Sequence, residues 1–157
     1  MDMATIRRKV DHAVGVLMER HARLLELDVN EQAIAHKLAE VLREEFPDHD
    51  IDCEYNRHHN EVKRLKLSGQ TEKTESTHPT RVLPDIVVHH RRTDDNLLVV
   101  EMKKVENSSP QEDENDKKKL RAFVKAPYNY EYGLFLKLSS SGEYRAEWFI
   151  GLGRRQR

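Results

Sequence analysis

Asp85, Glu101 and Lys103 are the residues whose types and spacing could do chemistry. Two carboxylates brought to one point can hold a hard divalent cation: Mg²⁺ takes one or two protein carboxylates and keeps waters and phosphate oxygens as its other ligands. A cation held there acts as a Lewis acid on a phosphate oxygen and lowers the pKa of its bound water. An ammonium beside it orients that water or neutralises the charge of a pentacovalent transition state. The chemistry these three side chains suit is phosphodiester hydrolysis.

Two apolar runs must position them. Pro84 to His90 and Asn96 to Lys104 are rich in Val, Ile and Leu, and Arg91-Arg92-Thr93-Asp94-Asp95 between them is turn-like, so the pair reads as an antiparallel hairpin. A turn centred near Thr93 sets Asp85 opposite Glu101 and Val87 opposite Val99. Directly opposed like charges cost a strand pair roughly 0.2–1 kcal/mol, which a cation between them removes. Lys103 lies two residues beyond Glu101 and so shares its face. The bland alternative is a salt-bridge ladder on a solvated sheet face.

Pro84-Asp85, a gap of fifteen residues, and Glu101-Met102-Lys103 closing an apolar strand resemble the core motif of the PD-(D/E)XK, or restriction-endonuclease-like, nuclease superfamily. The resemblance implies a Mg²⁺-dependent, endonuclease-type hydrolase, with Mn²⁺ able to substitute. It assigns Asp85 and Glu101 as metal carboxylates, the Met102 backbone carbonyl as a further ligand and Lys103 as the catalytic lysine. It also implies a glutamate on the helix before the core, for which Glu31 stands in the corresponding place. Glu31 has a second reading, as the N3 partner of a capping box begun by Asp28, and both readings stay open. Glu40 and Glu44 on the same helix are weaker candidates.

The remaining chain supplies elements in a compatible order. Ile6, Val10, Val14, Leu17, Met18, Leu24 and Leu25 recur at helical spacing from Met3 to Leu27, a helix that packs on the sheet or on a second copy in a homodimer. A second helix runs from about Val29 to Phe46. Asp50 to Asn56 alternates as a strand, Glu61 to Leu67 reads as an edge strand, and Ser68 to Arg81 reads as a mobile loop. After the hairpin come a helix from about Asp113 to Lys125 and strands over Tyr132–Leu138 and Tyr144–Ile150. The expected fold is α/β (α+β), a restriction-endonuclease-like mixed sheet flanked by helices. It is one domain over 1–157, with a packing or dimerisation helix at 1–27, a motif-bearing core at 28–138, and a final strand and basic tail at 139–157.

With 157 residues and clear apolar segments the chain can bury a core, although 35% of it is charged. The net charge of −1 hides basic clusters such as Arg7-Arg8-Lys9 and Lys117-Lys118-Lys119, and so does not exclude nucleic acid. A single cysteine, Cys53, permits no internal disulfide. No run is long enough for a membrane span, and the expectation is a soluble cytoplasmic protein.

Arg57, Arg91, Arg92 and Lys104 are candidates for phosphate contact, which gives salt-dependent affinity without sequence information. Glu54 is a candidate supporting carboxylate. Lys117, Lys118 and Lys119 read as a solvated face. The histidines, His36, His49, His58-His59, His78 and His89-His90, show no His-x-x-x-His or Cys-x-x-Cys spacing that would mark tetrahedral zinc. The expected partner is nucleic acid, with DNA favoured over RNA. The alternative is a non-catalytic member of the same fold that binds nucleic acid or protein.

Overall fold

The structure, a computed structural model, describes residues 1–27, 30–55, 57–58, 61–62, 64–65, 80–81 and 83–154. Helix α1 (Met3–Arg20) starts on Asp2, whose side chain accepts from the Thr5 N–H at 2.8 Å. The expected single helix to Leu27 is broken at His21 and resumes as the short α2 (Ala22–Glu26). Asn30, not Asp28, caps α3 (Glu31–Glu45), because its side chain takes the N–H of Ala33 at 2.9 Å, the bond an N-cap residue makes to N3. Glu31 is therefore the first helical residue rather than the N3 partner of a capping box; Asp28 and Val29 lie outside the described residues. Ile6, Val10, Ala13, Val14 and Leu17 of α1 are buried in one cluster with Ile34, Leu38 and Leu42 of α3. The apolar stripe that reads as a packing or dimerisation face is thus covered inside the chain.

Strand β1 (Asp50–Cys53) is followed by four two-residue strands, β2 (Arg57–His58), β3 (Glu61–Val62), β4 (Arg64–Leu65) and β5 (Thr80–Arg81), which pair as β2 with β3 and β4 with β5. The expected edge strand over Glu61 to Leu67 is thus split between two small ladders; of the loop expected over Ser68 to Arg81, Thr80 and Arg81 form β5 and residues 68–79 lie outside the described residues. Strands β6 (Ile86–His89), β7 (Asn96–Lys104), β8 (Tyr132–Leu138) and β9 (Tyr144–Ile150) join β1 in a five-stranded sheet of order β1-β6-β7-β8-β9. All neighbours are antiparallel except β7 and β8. That parallel step is bridged by α4 (Pro110–Phe123), which starts earlier than periodicity suggests: Ser109 Oγ accepts from the Glu112 N–H at 3.2 Å, and Pro110 fills the first position, where no N–H is needed. The result is a mixed α/β fold with helices on both sheet faces.

Strand alternation divides the core. Leu98, Val100 and Met102 pack on the α1 and α3 side with Leu134 and Leu136. Val87, Val99 and Phe135 pack on the α4 side with Leu120, Phe123 and Tyr130. Glu101 and Lys103 follow the parity of Val99 and so face α4.

Candidate active site

The hairpin has the register expected from its turn: Val87 pairs with Val99 and Ile86 with Val100, with a bulge between Val88 and His89. Strand β6 begins at Ile86, whereas β7 continues from Val100 to Lys104. The N–H and C=O of one strand residue face the same neighbour, so Met102 and Lys104 turn their backbone toward the side where β6 has ended. Carboxylates fill that place. Asp85 Oδ2 accepts from the Met102 N–H at 2.8 Å, and Glu31 Oε1 accepts from the Lys104 N–H at 3.2 Å. The Met102 carbonyl turns to the same side.

Glu101 is 2% exposed, and its Oε1 has no hydrogen-bond partner among the described residues. Burial, then the Asp85 charge, pushes its carboxyl well above the ordinary range. Burial also raises Asp85, against the opposing hydrogen bond from Met102. In its protonated form Glu101 donates to Asp85.

Helix α4 brings two further groups. Asp116 is 5% exposed and lies between two ammonium groups, with Oδ2 3.4 Å from Lys103 Nζ and Oδ1 3.2 Å from Lys119 Nζ. Lys103 Nζ is also 3.8 Å from Glu31 Oε2. Burial alone would lower Lys103, but Asp116 and Glu31 outweigh it and raise the pKa, so the side chain stays cationic. Lys119 behaves likewise: burial lowers it, and Glu101 and Asp116 raise it further. Lys119 is therefore not part of a solvated run. Its neighbour Lys117 pairs with Glu147 at 2.8 Å. The overlooked signal was Asp116 itself, a carboxylate on the stripe that carries Leu120 and Phe123, where an apolar residue is expected.

The cation candidates are scattered. Lys104 is 2% exposed, which removes it from any surface contact with phosphate. Arg91 chelates Asp52 through Nε and Nη2 at 2.9 and 2.5 Å, at the turn end of the hairpin and so away from Asp85. Arg92 is exposed at the same turn, with φ of 59°. Arg57 pairs with Val62 in β2, and its side chain lies outside the described residues. Glu54 is adjacent to the site: its N–H donates to the Asp85 carbonyl at 3.1 Å, and Gln32 Nε2 donates to its Oε1. Glu40 and Glu44 face away, paired with Lys37 and Arg20.

No family model, curated protein or solved structure matches the chain. Among the described residues, no helix is long and apolar enough to cross a membrane.

Proposed function

We propose that this chain is a metal-dependent nuclease of restriction-endonuclease-like fold that hydrolyses phosphodiester bonds of nucleic acid, with DNA favoured over RNA. One observation carries the reading: a buried carboxyl, Glu101, leaves Oε1 without a hydrogen-bond partner among the described residues, beside a second, part-buried carboxyl, Asp85. Burial raises both acids and the Asp85 charge raises Glu101 further, whereas the hydrogen bond from Glu101 lowers Asp85; a cation that accepts oxygen ligands removes the cost of burying them together. The element order α3, β1, β6, β7, α4, β8 also agrees with the core that the PD-(D/E)XK resemblance implies.

Asp85, Glu101, the Met102 carbonyl and Glu31 would hold Mg²⁺ or Mn²⁺. The ion would supply Lewis acidity toward a phosphate oxygen and acidify a water. The chain's own groups do the rest. Lys103, fixed between Asp116 and Glu31, presents a permanent positive charge to the charge that develops on phosphorus-bound oxygens. Lys119 adds a second cation on the α4 side, and Asp116 sets the position of both ammonium groups.

Titration of Mg²⁺ and Mn²⁺ into wild type and Asp85→Ala, beside a cleavage assay on mixed DNA and RNA, tests the assignment. Metal binding lost with Asp85→Ala, together with wild-type cleavage that Lys103→Ala abolishes, is the expected result. Metal binding independent of Asp85 with nothing cleaved would refute it. Binding through Asp85 without cleavage would favour the non-catalytic member of the fold.

A further inference from the structure

The fold assembles a second group of ligating side chains at the far end of the same hairpin. His49 lies in the corner between α3 and β1, while His90 and Asp95 bracket the β6–β7 turn, and one ligand atom of each lies within 4.8 Å of the others. They are separated from Asp85 by the four residues of β6, about 13 Å of strand. His90 Nε2 bonds to the backbone carbonyl of Asp48, while its Nδ1 faces Asp95 Oδ2. A ring whose one N–H is tied to a carbonyl presents its other nitrogen in a fixed direction, as outer partners do for metal-bound histidines.

We propose that His49, His90 and Asp95 form a binding site for a transition-metal cation of the Zn²⁺ class, with solvent completing the coordination. Two imidazoles and one carboxylate suit Zn²⁺ or Co²⁺ far better than Mg²⁺, which prefers oxygen alone, so this site and the Asp85–Glu101 site select different ions. The His49 and His90 rings are stacked at 4.5 Å and 16°. A single cation reaching both must tilt one of them out of that stack. The bound ion would pin the hairpin tip to the α3–β1 corner. His49 and His90 are far apart in the chain, so motif spacing could not reveal them.

The test is calorimetric titration of Zn²⁺ and visible absorption with Co²⁺ on the full chain. Wild type, His49→Gln, His90→Ala and Asp95→Asn are compared, with Asp85→Ala as control and circular dichroism to confirm folding. One equivalent of Zn²⁺ should bind to wild type and to Asp85→Ala. Each of the three substitutions should weaken binding roughly tenfold or more, and His90→Ala should abolish the ligand-field band of low-coordinate Co²⁺. Unchanged affinity and an unchanged band in His49→Gln and His90→Ala would overturn the proposal. So would a Zn²⁺ site that disappears with Asp85→Ala.

Discussion

Replacing Glu101 by Gln keeps the size of the side chain and removes a charge that burial opposes. At pH 7 the wild-type carboxyl must either ionise without a partner for Oε1 or take up a proton. Protonating a carboxyl of ordinary pKa at pH 7 costs at most roughly 4 kcal/mol. Leaving a buried polar atom unpaired costs about 1–3 kcal/mol. The amide avoids the first cost, because it is neutral at every pH and its NH₂ can donate to Asp85 as protonated Glu101 does, while its oxygen inherits the unpaired position. Glu101→Gln should therefore stabilise the metal-free protein by about 1–4 kcal/mol at pH 7. At about 2–4 °C per kcal/mol for a chain of this size, Tm should rise by roughly 2–16 °C. Because the folded pKa lies above the unfolded one, the wild-type penalty is absent below the unfolded value and grows as pH rises toward the folded one. The gain should then disappear near pH 4 and increase toward neutrality. Thermal melts of both proteins from pH 4 to 7.5, with and without Mg²⁺, are the assay. Mg²⁺ should raise Tm in wild type and have little effect on the variant. A variant that melts at or below the wild-type temperature throughout this range would refute the reasoning.

Lys119→Met should reduce kcat for cleavage by about 10²-fold, the scale of losing one preorganised electrostatic contact, while Mg²⁺ affinity holds or improves; single-turnover assays beside metal titration separate the two. Phe123→Ala, at a side chain that is 0% exposed, should cost about 3–5 kcal/mol in urea unfolding. For Asp52, burial raises the pKa, but the bonds from Arg91 and His89 outweigh it and lower the carboxyl overall. Its stabilisation is present above the unfolded carboxylate pKa and is lost as pH falls through the depressed folded value. Asp52→Asn should accordingly lose about 1–3 kcal/mol at pH 7 and flatten the acid limb of a stability profile.

The hairpin and its register were legible because apolar strands around a polar turn leave little freedom: a slip of one residue would exchange the two buried faces and carry Glu101 and Lys103 from the α4 side into the α1 and α3 core. Strand β8 was legible for a similar reason, since six of its seven residues are buried. The start of α3 was misplaced because Asp28 and Asn30 are both able N-caps, and only tertiary structure selects between them. Asp116 and Lys119 were hidden in a helix so polar that its inward stripe is nearly masked. Lys104 was misjudged because a lysine at a strand end reads as solvated, whereas strand parity turns this one into the core. The clustering of His49 with His90 depends on the corner before β1 meeting the turn after β6, a contact that no local pattern encodes.

The overhang of β7 past β6 also fixes which mutations the site can survive. Asp85 and Glu31 are anchored on the main-chain amides of Met102 and Lys104, about 7 Å apart at the spacing of alternate strand residues. Substitutions in the surrounding core leave the register of those anchors unchanged. A deletion or insertion of one residue in the β6–β7 turn is different in kind. It would turn Glu101 and Lys103 to the α1 and α3 side and leave Asp85 behind, dismantling the site without altering any of its residues.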